Sequence, residues 1–158
     1  MTVGRIVAAV GVPVTADLES GYGGTADDVA RTVTRAVELG VVGGDLEDAR
    51  TGSLFSIDEA VDRLLAARAA APAGTFVLNA RTDTYVSGPG GDAFAETVER
   101  ALRYVDAEAD CIFVPGVVEE DTIRRPAAAI PAPLNVVAWL ASLDDAMGYA
   151  DLQRRFSA

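Results

Sequence analysis

Asp17 and Glu19, one residue apart in the stretch TADLESGYGG, follow the apolar run VGVPV and lead into a glycine-rich turn. On an extended chain alternate side chains share a side, so the two carboxylates are expected to point the same way. Like charges held that close raise each other's pKa unless a cation lies between them. Oxygen donors without histidine or thiolate suit hard ions such as Mg2+ or Mn2+, which keep several waters and take a few carboxylates plus substrate oxygens. Glu47, at the matching end of VVGGDLED, is the candidate third ligand or water-mediated partner. Arg81, after FVLNA, is the candidate planar fork for a substrate carboxylate or phosphonate. Each residue also has a plain structural role open to it. Asp17 and Glu19 could cap a helix or face solvent, and Arg81 could pair with Asp83 or Glu47. Asp48 and Asp83 suit turn or salt-bridge contacts better than metal, and the GYGG spacing is not a dinucleotide fingerprint.

The rest of the charge inventory narrows the chemistry. All thirteen basic residues among the 158 are arginine, and there is neither lysine nor histidine. That excludes Schiff-base catalysis, a phosphate-loop lysine, histidine bases and histidine metal ligands. A net charge of −11 with no basic stripe argues against nucleic-acid partners. Cys111, the only cysteine, lies in the apolar run CIFV and is expected to be an inert core thiol. No apolar run approaches the ~20 residues of a membrane span, and the N-terminus has no charged leader with a clean cleavage site, so a cytoplasmic protein is expected with no membrane partner.

These side chains must be positioned by alternating strands and helices. GVPVTADLE, VVGGDLED, TFVLNARTD, ADCIFVPG and PLNVVAW read as strands starting near 12, 41, 75, 110 and 133. Between them run helices: one N-capped by Thr25, with Val29, Val33 and Val37 as its apolar stripe and Gly40 after its end; one opened by a Ser56/Glu59 capping box and stopped before Pro72; AFAETVERALRYVDAEA; and EEDTIRRPAAAI, ended or kinked near Pro126. The tail ASLDDAMGYADLQRRFSA reads as helical with a break near Gly148. Strand spacings of this size belong to βαβ crossovers rather than hairpins, so one domain over 1–158 with a parallel sheet is expected. Length favours an open doubly wound five-stranded sheet over a closed (β/α)8 barrel of ~250 residues. Polar groups at the carboxyl end of every strand favour the barrel: Asp17 and Glu19; Asp45, Glu47 and Asp48; Asn79, Arg81 and Asp83; Asn135.

In order and spacing, PVTADLESGYG, VVGGDLEDA, FVLNARTD, ADCIFVPG and PLNVVA resemble the isocitrate lyase/phosphoenolpyruvate mutase family. The resemblance implies α/β architecture as a partial (β/α)8 TIM barrel of about five βα units, covering strands three to seven. It implies a Mg2+-dependent lyase-like enzyme that makes or breaks a C–C or P–C bond of a small α-keto or 2-hydroxy acid through an enolate. By position it makes Asp17, Glu19 and Glu47 metal residues and Arg81, Asn135 and Asp45 substrate residues. Where the lyase branch carries a lysine–cysteine–glycine–histidine loop and the mutase branch lysine and asparagine, this chain has ARTGSLFSIDEA. The competing expectation is therefore a catalytically silent homologue that binds metal or oxoacid, or serves as an assembly partner. Tyr22 and Tyr85 are proton-transfer candidates by location only. A partial barrel leaves strand flanks uncovered, so a homo-oligomer is expected; light scattering that returned the 16.4 kDa monomer mass would sink that expectation.

Overall fold

A computed structural model describes residues 2–88 and 90–137. The tail helix expected after PLNVVA, and the end of that strand, lie outside the described residues. Five strands form one parallel sheet in chain order: β1 (Thr15–Asp17), β2 (Gly43–Glu47), β5 (Val77–Arg81), β6 (Cys111–Phe113) and β7 (Leu134–Asn135). Between β2 and β5, β3 (Ala49–Arg50) and β4 (Ser53–Leu54) form a small antiparallel hairpin. The helices are α1 (Thr2–Ala9), α2 (Ala26–Glu38), α3 (Ile57–Ala70), the single turn α4 (Thr84–Ser87), α5 (Ala93–Asp106) and α6 (Glu120–Ala129).

Strand order decides between the two architectures. A doubly wound sheet reverses its order at a switch point; here β1-β2-β5-β6-β7 never reverses. With right-handed crossovers, an unreversed order places every helix on the same face. The result is an arc of a (β/α)8 barrel that does not close, since β1 and β7 are not paired with each other. The sequential order rejects the open doubly wound alternative that length had favoured.

The two faces of the arc differ in chemistry because strand side chains alternate. Leu46, Leu78, Ala80 and Ile112 point to the helix side and are buried with Val33, Leu64, Ala101 and Tyr104. The register places Thr15, Gly43 and Val77 in a first row on the other face, Asp17, Asp45, Asn79 and Cys111 in a second, and Glu47, Arg81, Phe113 and Asn135 in a third. Gly44 lets β1 approach closely, because a Cβ there would meet Leu18 Cδ1 at 2.8 Å and the Ala16 carbonyl at 2.9 Å.

Several local expectations need correcting. The buried stripe of α2 is Val29, Val33 and Ala36, while Val37 is exposed, as steps of four then three keep to a 3.6-residue turn better than steps of four. The Thr25/Asp28 capping box at its start is complete. At α3 the Ser56 hydroxyl accepts from the Glu59 amide at 3.2 Å. Pro126 does not end α6, which runs on to Ala129 with the ring buried; only the last turn follows it. The β3–β4 hairpin in ARTGSLFSIDEA, α1 and α4 had no sequence counterpart.

One carboxylate ties the sheet to its helices. Asp48 is buried and accepts from Tyr104 Oη at 2.7 Å, Arg100 Nη1 at 3.2 Å and the Asp83 amide at 3.0 Å. Its backbone donates to the Arg81 carbonyl and accepts from the Phe55 amide. The Tyr104 phenol is held above its ordinary range by burial first and the adjacent Asp48 charge second, so it stays a donor. Removing one member of a buried pair strands the other charge, so Asp48→Ala is expected to lose about 3–5 kcal/mol in urea unfolding. Tyr104→Phe, which removes the bond to Asp48 and the one accepted from Arg100 but strands no charge, should lose about 1–2 kcal/mol; equal losses would contradict the charge-based account.

Candidate active site

The carboxyl ends of β1, β2 and β5 bring the sequence candidates onto one rim. Glu47 and Arg81 are register partners, and Arg81 Nη1 lies 3.1 Å from Glu47 Oε2. Asp83 grips the same guanidinium with both oxygens, from Nε at 2.8 Å and from Nη2 at 3.0 Å. The Phe113 ring lies 5.6 Å beneath it. Arg81 is thus fixed in orientation before any ligand arrives. Burial alone would lower its pKa, but the bonds and charge of Asp83, with Glu47 and Asp17, outweigh that and raise it.

The acidic edge does not have the geometry expected from an extended chain. β1 ends at Asp17, and Glu19 has φ +50°, so the two-residue alternation stops between them. Asp17 Oδ1 instead accepts the Glu19 amide at 2.8 Å, and the Glu47 amide donates to the Glu19 carbonyl at 2.9 Å. Among the described residues no three Asp, Glu, Cys or His side chains form a group that could hold a metal ion. Asp17, Glu19 and Glu47 nevertheless share a field, since all three raise the pKa of the Tyr22 phenol after its own desolvation. A donor set of one or two carboxylates completed by water and substrate oxygens fits Mg2+; a closed three-carboxylate cage does not.

Glu47 is the perturbed acid. Burial raises its pKa above the ordinary 4.5, Arg81 opposes, and Asp83, Glu19 and Asp17 add to the rise. Below the rim a hydrogen-bonded chain links Asn135 of the third row to the second row: Asn135 Nδ2 donates to Asn79 Oδ1 at 2.9 Å, and Asn79 Nδ2 to Asp45 Oδ1 at 2.6 Å. Asp45 and Asn135, both substrate candidates, are therefore linked through Asn79, which had been noted only as a polar strand end. Cys111 stands in the second row, its thiol held protonated chiefly by burial, as expected of an inert cysteine. Tyr22 and Tyr85 both have raised pKa values, dominated by burial, and cannot serve as bases near neutral pH.

The residue that sequence reasoning missed is Arg63. It lies on the buried stripe of α3 with Ala60, Leu64 and Ala67, where a charged residue is itself a signal. Its guanidinium contacts the loop that follows β1, donating to the carbonyls of Ser20, Gly23 and Gly24.

The family profile of phosphoenolpyruvate phosphomutase matches residues 1–154. The chain belongs to the phosphoenolpyruvate phosphomutase family. It is 36% identical over 140 residues to 2-methylisocitrate lyase of Shewanella oneidensis, covering 83% of this chain and 46% of that enzyme. The Escherichia coli 2-methylisocitrate lyase is 34% identical over 139 residues, covering 82% and 46%. The chain thus spans about half the length of the curated relatives it matches. Among solved structures, phosphonopyruvate hydrolase in complex with oxalate and Mg2+ superposes with TM-score 0.73 at 28% identity, covering 85% of this chain and 49% of that one. Two of these relatives are 2-methylisocitrate lyases and one is a phosphonopyruvate hydrolase, which accords with the resemblance drawn from the five strand-end motifs.

The Glu47 shift has a pH consequence. A carboxyl with a raised folded-state pKa binds more protons folded than unfolded, so its contribution to stability falls as pH rises through 4.5 and on to the raised value. Glu47→Gln should flatten that part of the stability profile and leave the melting temperature at pH 7 equal to or above that of wild type. A clear drop at pH 7 would mean that the ion pair with Arg81 outweighs the burial.

Proposed function

We propose that the rim is a Mg2+-assisted site for a small α-keto or 2-hydroxy acid, and that the chain is lyase-like, making or breaking a C–C or P–C bond next to the acid's carbonyl. The observation that carries this is the Arg81 clamp: a fork already oriented by Asp83 and Glu47 stands beside the Asp17–Glu19 edge. Arg81 would hold the substrate carboxylate through the part of its fork that Asp83 leaves open, a geometry lysine cannot supply. Asp17, through Oδ2, would be the direct metal ligand, with Glu19 and Glu47 accepting from its waters. A divalent cation, when bound, would offset the negative charge that develops on an enolate oxygen. Asp45 and Asn135, joined through Asn79, would form the polar floor. Tyr22, about 68% exposed and with its phenol held protonated, could only donate a proton to the developing carbanion. The crystallised complex of a relative with oxalate and Mg2+ supports the ligand class.

A second reading has its own support: ARTGSLFSIDEA, which by the resemblance stands where the lyase branch carries its lysine–cysteine–glycine–histidine loop, includes the β3–β4 hairpin and has no Lys, Cys or His. On that reading the chain binds metal and oxoacid without turning them over. Calorimetric titration of Mg2+ with and without oxalate separates the outcomes. Wild type should bind oxalate only with metal present, and Asp17→Ala should weaken metal binding at least ~10-fold, the loss of one charge-assisted ligand. Metal binding indifferent to that substitution would sink the site. Binding without pyruvate release from candidate acids would favour the silent homologue.

A further inference from the structure

The loop Ser20–Gly24 should be hard to hold in one shape. Glu19, Gly21 and Tyr22 all have positive φ, and a Cβ at Gly21 would meet Val29 Cγ2 at 2.5 Å. Such a segment folds back on itself only where other groups over-determine it. Two side chains do so here. Thr32 Oγ1 on α2 donates to the Gly21 carbonyl at 2.8 Å. Arg63 on α3 donates from Nη1 to Ser20 O at 2.8 Å and from Nη2 to Gly24 O at 2.9 Å, with both nitrogens also reaching Gly23 O, at 3.4 and 3.3 Å.

The setting of Arg63 is unusual in its own right. The residue is 3% exposed, and among the described residues no carboxylate pairs with it, so a buried cation is balanced by carbonyl dipoles and by the Phe55 ring at 4.2 Å. Leaving a charge without a counter-ion in the interior is expensive. Arg68 and Arg100, the other buried arginines, each have an acid. Arg63 also lines a cavity of about 10 Å3 together with Glu47, Asp48 and Arg81, so the clamp adjoins the rim site from behind.

We propose that Arg63 is a positioning residue: its fork spans three loop carbonyls and holds Ser20–Gly24, and with them Glu19 and Tyr22, against the acidic edge. Its functional half rests on the oxoacid site proposed above; its structural half does not. Lysine cannot reproduce the effect fully, because a single ammonium does not span three acceptors. Methionine keeps apolar contact with Phe55 while removing every donor.

Hydrogen exchange of the full chain, read by mass spectrometry, with oxalate titration in Mg2+, tests this on wild type, Arg63→Met, Arg63→Lys and Asp17→Ala. In Arg63→Met the bonded amides of Gly21 and Thr25, which donate to Leu18 O and Asp28 Oδ2, should exchange at least tenfold faster while those of Val77–Arg81 stay as in wild type, and oxalate should bind at least tenfold more weakly. Arg63→Lys should recover part of both effects, and it carries the comparison if the Met variant does not fold. Asp17→Ala should weaken oxalate while leaving loop exchange unchanged. Loop exchange in Arg63→Met equal to wild type, faster exchange throughout the chain, or full recovery by lysine would each overturn the proposal. A wild type that binds no oxalate would overturn the oxoacid site instead, and the loop exchange would still decide the clamp.

Discussion

Asp48 is the group on which the carboxyl end of the sheet depends. It is a buried acid at the last position of the LED motif, and it reaches β5 through the Asp83 amide and the Arg81 carbonyl, the hairpin through Phe55, and α5 through Arg100 and Tyr104. Because Asp83 is in turn the bidentate partner of Arg81, the orientation of the Arg81 fork depends on Asp48 through Asp83. In a low-dielectric interior such a network is useful only when every member is satisfied. Here the acid, the guanidinium and the phenol each have partners.

Above that network the rim carries more acid than the sheet alone can neutralise. Asp17, Glu19, Glu47 and Asp83 share Arg81 as their near cation, and the other three acids add to the burial that raises the Glu47 pKa. An excess of negative charge at a mouth is the condition that a divalent cation relieves. On the proposed function, charge stabilisation would take over the part that proton transfer or imine formation plays elsewhere.

Much of the fold was legible because strand ends repeat a type of residue. The motifs ending at Glu19, Asp48, Asp83 and Gly116 recur at crossover spacing, and each marks the carboxyl end of a parallel strand. The bonds of Arg81 to Asp83 and Glu47 were among the contacts the sequence allowed. Other features escaped for identifiable reasons. α1 and the hairpin β3–β4 are short, and short elements owe their stability to packing rather than propensity. The stripe of α2 was placed one residue off at its end, because a strict step of four drifts from the helical turn. The same-side pairing of Asp17 and Glu19 was not legible, because a positive φ at Glu19, which no local pattern announces, breaks the strand alternation that the pairing assumed.

By itself the sequence determined the chemistry available to this protein: carboxylates, arginine forks and phenols on parallel strand ends, with no amine and no imidazole. It also determined the βα repetition, since hydrophobic periodicity and capping are local. Only the tertiary structure decided that the strands run in unreversed order, that Asp45, Asn79 and Asn135 form one hydrogen-bonded chain, and that Arg63 reaches some forty residues back to the glycine loop. Those contacts depend on inter-strand register and helix placement, which are set by the burial of one whole face at once and leave no trace in any single segment.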